Sequence, residues 1–337
     1  MDLDYLLPLT FAELMALSIL VYALLDGYDL GVGLMLPRAT EAQRDMMIAS
    51  IGPFWDANET WLVLGVGLLL IAFPSAHSYV LGNLYLPVLV LLVGLILRGV
   101  AFDFRAKVPV KSKAMWDRLF FVGSLLATTS QGYMLGQFVM GFDDGFWAEG
   151  FSILSALCVT GAYAFIGGSW LIMKTDQDLQ IRAVAWTHAS LWLMMAGIAA
   201  VSIVNPMISQ EVFDKWFSLP EAILLLPIPL LCVVLLLGAH LYLKQARRKL
   251  RNQALVTFPW IPFAAAVLVF VLCFQGIAYS FFPYVVPNQL NIWESAAATE
   301  SLLFVFWGVA FVFPAILAYT VMSYRVFWGK AEPLEYY

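Results

Sequence analysis

Two pairs of carboxylates stand at the ends of long apolar segments, where a lipid-facing surface would carry leucines. Asp26 and Asp29 close the first apolar segment, and Asp56 and Glu59 stand at the start of the second. Residues three positions apart share one face of a helix, so each pair presents its carboxylates together. Acids at membrane depth are costly, rarely face lipid and by default mark a path for ions or protons. The spacing therefore predicts a hydrated proton path.

A third polar stretch follows in the next apolar segment, which contains Arg98 and ends near Asp103 and Arg105. Three consecutive segments thus bring acids and an arginine toward one side of the membrane. A structural alternative is that Arg98 pairs with Asp26 or Asp29 to hold helices together, while Glu59 lies at the membrane interface. Asp103 and Arg105 also fit ordinary charged side chains that reach the interface. The residue pattern leaves both interpretations open.

The composition identifies the class of protein that must position these residues. Of 337 residues, 62% are hydrophobic and 12% are charged, which excludes a soluble globular domain. Asp2 and Asp4 make the N-terminus acidic, so we expect no cleavable signal peptide, whose first region is basic. The sequence contains no phosphate-binding loop, nucleic-acid motif or nucleophile constellation. We therefore expect an all-α polytopic membrane protein with no nucleic-acid partner.

The apolar runs predict nine transmembrane helices, each close to the ~20 residues that a bilayer crossing needs. The predicted spans are Leu9–Val32, Gly52–Phe73, Tyr79–Ala101, Leu119–Val139, Phe151–Met173, Val184–Met207, Ala222–Leu243, Phe258–Ala278 and Ser301–Ser323. Proline and glycine signals separate them.

The cations predict the orientation of these spans. Of the 18 lysines and arginines, sixteen fall in the loops after odd-numbered spans or in the C-terminal tail. Loops after even-numbered spans hold only Lys215, and Arg98 lies inside the third span. Cytoplasmic loops carry the excess of Lys and Arg. We therefore expect the N-terminus outside and the C-terminus in the cytoplasm, so that the acid pairs lie toward the cytoplasmic side.

The histidines argue against a redox centre in this chain. There are three, His77, His188 and His240, and a bis-histidine haem site needs two ligands that face each other. Only His188 and His240 could meet, and we interpret them as structural. The three cysteines lack CxxC spacing and are interpreted as buried thiols. We expect the chain alone to bind neither haem nor metal.

Three ordered motifs carry a resemblance to a known family. Residues 26–33 read Asp-Gly-Tyr-Asp-Leu-Gly-Val-Gly, residues 53–62 read Pro-Phe-Trp-Asp-Ala-Asn-Glu-Thr-Trp-Leu, and residues 98–105 read Arg-Gly-Val-Ala-Phe-Asp-Phe-Arg. With the tail segments at 282–284, 291–296 and 318–320, they resemble subunit II of the cytochrome bd quinol oxidases. The resemblance spans almost the whole chain, and the short length is similar to the cyanide-insensitive branch.

The resemblance implies a two-subunit enzyme of the bacterial inner membrane that oxidises quinol and reduces O2 to water. It implies that subunit I holds haem b558, haem b595 and haem d, or a b-type replacement, together with the quinol site. A small single-helix accessory subunit and lipids are further candidate partners. The implied fold is one membrane domain, residues 1–337, with four-helix bundles at about 1–140 and 150–281 and a peripheral helix at 299–325.

The resemblance also implies roles for individual residues in stabilising subunit I and delivering protons to it. Asp56 resembles the relay carboxylate, and Arg98 is expected to face the partner near its haems. Residues expected at the opening of the proton path are Asp29, Glu59, Asp103 and Tyr337. The chain departs from the family at Ala57, where glycine is frequent, and Glu59 is glutamine in some members.

The alternative function is a proton-coupled secondary transporter or channel, because nine spans with clustered acids would suit it. Such transporters usually contain an internal repeat with paired broken helices. We find no sequence repeat, since the acidic motifs occur only in the first three spans. A purely structural membrane subunit would differ from the favoured interpretation only in whether Asp56 matters.

Overall fold

The computed structural model describes residues 3–332, which are almost entirely helical. The long helices are α1 (Leu3–Met35), α3 (Trp55–Ala72), α4 (Pro74–Lys107), α5 (Val110–Val139), α6 (Phe146–Lys174), α7 (Gln177–Ile208), α10 (Pro227–Arg251), α11 (Ile261–Phe281) and α13 (Thr299–Val326). The short elements are a 3-10 turn (Leu36–Arg38), α2 (Glu41–Ile51), α8 (Gln210–Phe217), α9 (Glu221–Leu225), α12 (Ile292–Ser295) and strands β1 (Tyr284–Val286) and β2 (Leu290–Asn291). Tyr337 lies outside the described residues.

Among the described residues, eight helices are long and apolar enough to cross a membrane. This agrees with the predicted all-α polytopic class. Helix α5, which contains the predicted span Leu119–Val139, is 30 residues long but is not one of the eight. Its first third is charged, and the polar run 128–131 interrupts its centre. The ninth crossing therefore stays a prediction.

One predicted span is divided in the structure. The run predicted as Ala222–Leu243 begins with the short helix α9, and α10 then begins at Pro227. Proline has no backbone N–H and is favoured at the first position of a helix, where that group has no partner. A new helix therefore begins at Pro227, whereas hydropathy alone indicates one continuous apolar span.

Helix α1 makes contacts with several of the other long helices. It packs against α3, α5, α6 and α11, while α4 packs on α5 and α6 packs on α7. Helix α10 contacts α7 and α11. In the described part of α13, only Leu302 is buried, and the assignment of this helix as peripheral stays a prediction. The division of the remaining helices into two four-helix bundles stays a prediction.

Helices α1 and α6 cross with their backbones in contact. A Cβ atom at Gly31 would lie 1.9 Å from the carbonyl oxygen of Tyr163, and one at Gly167 would lie 2.5 Å from the carbonyl carbon of Gly31. Small residues permit such close approach of membrane helices. The crossing lies two residues beyond Asp29, so it fixes the depth at which the first acid pair sits in the protein.

The opposite end of the array is closed by the β1–β2 hairpin. The strands pair antiparallel, with Tyr284 opposite Asn291. Val286 is fully buried in one apolar cluster with Phe142 and with Leu7 and Phe11 from the start of α1. The acid pairs, at the end of α1 and the start of α3, therefore lie far from this hairpin.

Candidate functional site

Arg98 is the centre of a buried group of charges drawn from three helices. Its side chain is 1% exposed, and its Nη2 atom lies 2.6 Å from Asp26 Oδ1. The same Nη2 atom also pairs with Glu59, whose side chain is 26% exposed. One guanidinium thus joins α1, α3 and α4. The predicted alternative of an Arg98–Asp26 pair is confirmed, and Glu59 belongs to the same group instead of lying apart at the interface.

Several polar atoms of this group have no hydrogen-bond partner within the described chain. They include Asp29 Oδ1, Asp26 Oδ2 and the Nε and Nη1 atoms of Arg98. Buried polar groups are nearly always hydrogen-bonded to protein or to ordered water. The presence of unpaired donors and unpaired acceptors in one buried group therefore suits bound water.

Asn58 connects Asp29 to its surroundings, a role that the sequence did not predict. Its Nδ2 atom donates to Asp29 Oδ2 at 2.7 Å and to the Tyr28 hydroxyl at 3.1 Å. The Leu25 carbonyl lies at 3.3 Å. Asn58 is 1% exposed. The spacing of Asn58 and Trp61 could have indicated its burial. The two residues are three positions apart and so share one face of α3, which is the buried face.

Asp56 and Asp103 lie on the surface of the isolated chain, outside the buried group. Asp56 is in the first turn of α3 and is exposed, one turn before Glu59. Asp103 is exposed on α4. The two positions are linked by Trp55, whose ring packs on Phe102 with centroids 4.8 Å apart. The structure thus separates the predicted acids into an exposed pair and a buried set.

A second cluster of charges ties α2 to the ends of α4 and α5. Arg105 donates to Asp117 through Nε at 2.5 Å and to Asp45 through Nη1 at 2.7 Å. Lys113 reaches Asp45 at 3.1 Å, and Arg44 reaches Asp117 at 3.2 Å. Arg105 is therefore buried and paired, unlike the interfacial charge that its position suggested. Sequence spacing could not reveal this cluster, because Asp45 and Asp117 come from separate segments.

The ionic partners of Asp45 change its titration. Partial burial of the carboxylate acts to raise its pKa, but hydrogen bonds from Arg105 and Lys113 and the charges of these cations outweigh that effect. The pKa of Asp45 therefore lies below its ordinary value. Asp45 is anionic at neutral pH and holds two cations in place.

His188 and His240, the two histidines that the sequence left able to meet, are in contact, but in an arrangement that does not fit a haem iron. His188 Nε2 lies 3.0 Å from His240 Nδ1, and the ring centroids are 4.8 Å apart. Two nitrogens in direct hydrogen-bond contact leave no space for a metal between them. His77 is in the first turn of α4, at the end away from the acids. Among the described residues, no group of three or more His, Cys, Asp or Glu side chains could hold a metal ion.

Comparison with known proteins agrees with this architecture. A solved structure, the bd oxidase from Geobacillus thermodenitrificans, superposes with a TM-score of 0.71 at 17% sequence identity, covering 96% of this chain and 99% of that chain. At this identity the likeness establishes the fold alone.

Sequence relatives cover nearly the whole chain. Cytochrome bd-I ubiquinol oxidase subunit 2 of Escherichia coli (strain K12) is 26% identical, over 94% of this chain and 93% of the relative. Cytochrome bd ubiquinol oxidase subunit 2 of Bacillus subtilis (strain 168) is 26% identical, over 96% and 97%. The family described as cytochrome bd terminal oxidase subunit II matches residues 7–327. With its helical fold and its buried charge group, the chain belongs to the cytochrome bd terminal oxidase subunit II family.

Proposed function

We propose that this chain is the haem-free second subunit of a quinol:O2 oxidoreductase of the bacterial inner membrane. In this proposal it binds a haem-bearing subunit I, stabilises it and supplies protons from the cytoplasm. The family match supports the assignment to a terminal oxidase, and the relatives at 26% identity are named ubiquinol oxidase subunits. The match over residues 7–327 also favours this function over a secondary transporter.

The observation that carries the proposal is the gradient of exposure along the acids. Asp56 and Asp103 are exposed, Glu59 is partly buried beside Arg98, and Asp29 is fully buried. Reduction of O2 to water consumes protons, and the bilayer core offers no bulk water. A path must therefore consist of groups that bind and release protons, together with water. Acids at membrane depth are the expected components.

Arg98 has a distinct role in this proposal. Several carboxylates close together repel one another, and a buried guanidinium between them stabilises the group. Arg98 keeps its charge under all conditions because guanidinium does not deprotonate in proteins. It therefore organises the path, while the carboxylates carry the protons. Its unpaired Nε and Nη1 atoms are buried within this chain and suit internal water.

The haems of the complex belong to subunit I in this proposal. The direct contact between His188 and His240 supports that assignment, since it does not fit an iron ligand pair. The orientation, with the N-terminus outside and the C-terminus in the cytoplasm, is supported by the distribution of the sixteen cations.

The relay role is tested by Asp56→Asn in the purified complex. Asparagine keeps the size and hydrogen bonding of the side chain but cannot titrate. We expect normal haem content in reduced-minus-oxidised visible spectra. Oxygen consumption and proton uptake should fall together by roughly 10²-fold, within the range that a proton-transfer group contributes. Asp56→Glu should retain much more activity.

The matched control is Glu13→Gln, which neutralises an exposed acid near the other end of α1. It should leave both rates unchanged. An Asp56→Asn complex that assembles and consumes O2 at the wild-type rate would remove the relay, and the chain would then be a scaffold for subunit I.

A further inference from the structure

Asp29 depends on one side chain for its position. Within the described chain, its carboxylate makes one hydrogen bond, from Asn58 Nδ2 to Oδ2 at 2.7 Å. Asp29 and Asn58 are both buried. Whatever orients the Asn58 amide therefore decides how the Asp29 carboxylate is held.

Asn58 belongs to a closed ring of three hydrogen bonds. Its Nδ2 atom donates to the Tyr28 hydroxyl at 3.1 Å, and the Tyr324 hydroxyl donates to its Oδ1 atom at 3.3 Å. The two tyrosine hydroxyls lie 2.6 Å apart. A hydroxyl has one proton to donate, and Tyr324 gives its proton to Asn58, so Tyr28 must donate to Tyr324. Each member then donates once and accepts once.

Two acceptors, the Asp29 carboxylate and the Leu25 carbonyl, select one of two orientations of the Asn58 amide, and the ring holds the amide in that position. In the observed orientation, one N–H serves Tyr28 and the other is directed at Asp29. Rotation of the amide by 180° would place Oδ1 against the Asp29 carboxylate, so that two acceptors face each other. In the observed orientation the Tyr324 hydroxyl donates to Oδ1 and so anchors the end of the amide that faces away from Asp29.

Tyr324 is held by contacts at the end of α13. Its ring stacks on Phe54 with centroids 4.6 Å apart. Just beyond the helix, Lys174 donates from Nζ to the Phe327 carbonyl at 2.8 Å, and the Ala331 N–H donates back to the Lys174 carbonyl at 2.8 Å. The C-terminal segment is thereby fixed to the end of α6. These contacts bring a residue of the peripheral helix into the acid group.

We infer that Tyr324 is a positioning residue for Asp29: through Tyr28 and Asn58 it directs one amide N–H at the carboxylate that exchanges protons. The inference rests on the proposed proton path and adds the end of α13 to it. Tyr324 contacts the Asn58 amide and not the carboxylate, so it acts on proton exchange through geometry.

The test is Tyr324→Phe in the purified two-subunit complex, because phenylalanine keeps the ring on Phe54 and removes only the hydroxyl. We expect normal haem content and oxygen consumption lowered about two- to tenfold, the scale of one buried hydrogen bond. The pH profile of turnover should shift. Redox-difference infrared spectra should show a displaced carboxyl band, assigned to Asp29 by its loss in Asp29→Asn. Tyr319→Phe, on an exposed part of the same helix, is the matched control and should match wild type.

A second variant tests the ring itself. Tyr28→Phe should displace the same carboxyl band, and Tyr28→Phe/Tyr324→Phe should resemble either single variant, since one change already opens the ring. If Tyr324→Phe leaves the rate, pH profile and band unchanged while Asp29→Asn is slow, Tyr324 has no positioning role and the proton path stands. If Asp29→Asn turns over at the wild-type rate, the proposed path through Asp29 fails. The infrared band still decides whether Tyr324 positions that carboxylate.

Discussion

Single residues explain how charges are accommodated at the acid-bearing end of the molecule. Arg98 is buried with two carboxylates within reach of one nitrogen, while Asp45 is 44% exposed and bridges Arg105 and Lys113. Removing one member of a buried ion pair leaves an uncompensated charge and is strongly destabilising. Partly exposed pairs contribute much less, since water screens them. Asp45 is therefore the site where an ionic contribution can be measured without losing the fold.

We expect Asp45→Asn to lower the thermal stability of the complex only where Asp45 is ionised. The folded state lowers the pKa of this carboxylate, so its contribution is present above the ordinary value of 3.8 and is lost as pH falls through the lower folded pKa. At pH 7 the midpoint of unfolding, followed by tryptophan fluorescence, should fall by roughly 1–3 °C.

The difference from wild type should shrink as the pH approaches 3.8 and below. Glu41→Gln, an exposed acid in the first turn of the same helix α2, should show a smaller effect. An equal decrease for Asp45→Asn at neutral and acidic pH would contradict an ionic role.

At this scale the sequence indicated which charged or histidine side chains on long helices could meet and missed contacts that involve the short helix α2 or an uncharged amide. It offered Asp26 or Asp29 as a partner of Arg98, and it left His188 and His240 as the histidines that could meet, because depth along helices limits which groups can come together. It missed the Asp45–Arg105–Asp117 cluster, whose members come from α2, α4 and α5. It also missed the role of Asn58, since an amide in a helix has no charge pattern to mark it.

The helices explain why the acid pair of α1 sits at a fixed depth. The crossing of α1 and α6 at Gly31 and Gly167 leaves no room for a side chain. Hydropathy predicted the helices well, because long apolar runs leave few alternatives in a membrane. Hydropathy did not predict the helix boundary at Pro227. It also predicted α5 as a membrane span like its neighbours, although polar residues occupy the centre of that helix.

We expect Gly31→Ala to separate α1 from α6 and to destabilise the complex. The new Cβ atom would lie 1.9 Å from the Tyr163 carbonyl oxygen, so backbone must move, at a cost of about 1–3 kcal/mol. The yield of haem-containing complex and its unfolding temperature should both fall. Gly67→Ala is the control, because within the described chain a Cβ atom there meets nothing within 4 Å. Equal tolerance of the two substitutions would show that the crossing is not tight.

The whole molecule has two chemically different ends. One carries the two acid pairs with Arg98 and Arg105, and the other carries the hairpin and the start of α1. This polarity was readable from the sequence because loop charge follows orientation. The packing of α1 against both α5 and α6 was not, since hydropathy contains no information about which apolar faces meet.

We expect reporters placed after Gly145 and after Pro287 to be periplasmic, and reporters after Lys113 and at Tyr337 to be cytoplasmic. Lys113 contacts Asp45 at the cation-rich end, whereas Phe142 and Val286 share one cluster at the other end. Alkaline phosphatase and green fluorescent protein fusions distinguish the two sides. The sites after Lys113 and Gly145 flank α5, so finding both on one side would mean that α5 does not cross and would remove the nine-span topology.

The ring of Tyr28, Asn58 and Tyr324 also sets an order of events during synthesis. Tyr28 and Tyr324 are 296 positions apart in the chain. Because a chain emerges from the ribosome N-terminus first, the acid-bearing helices enter the membrane long before the last helix is made. During that interval Asp29 lacks its final orientation. Arrival of α13 then completes the ring, so a chain interrupted before its last helix carries the acids of the proposed path without the hydrogen bonds of Tyr324.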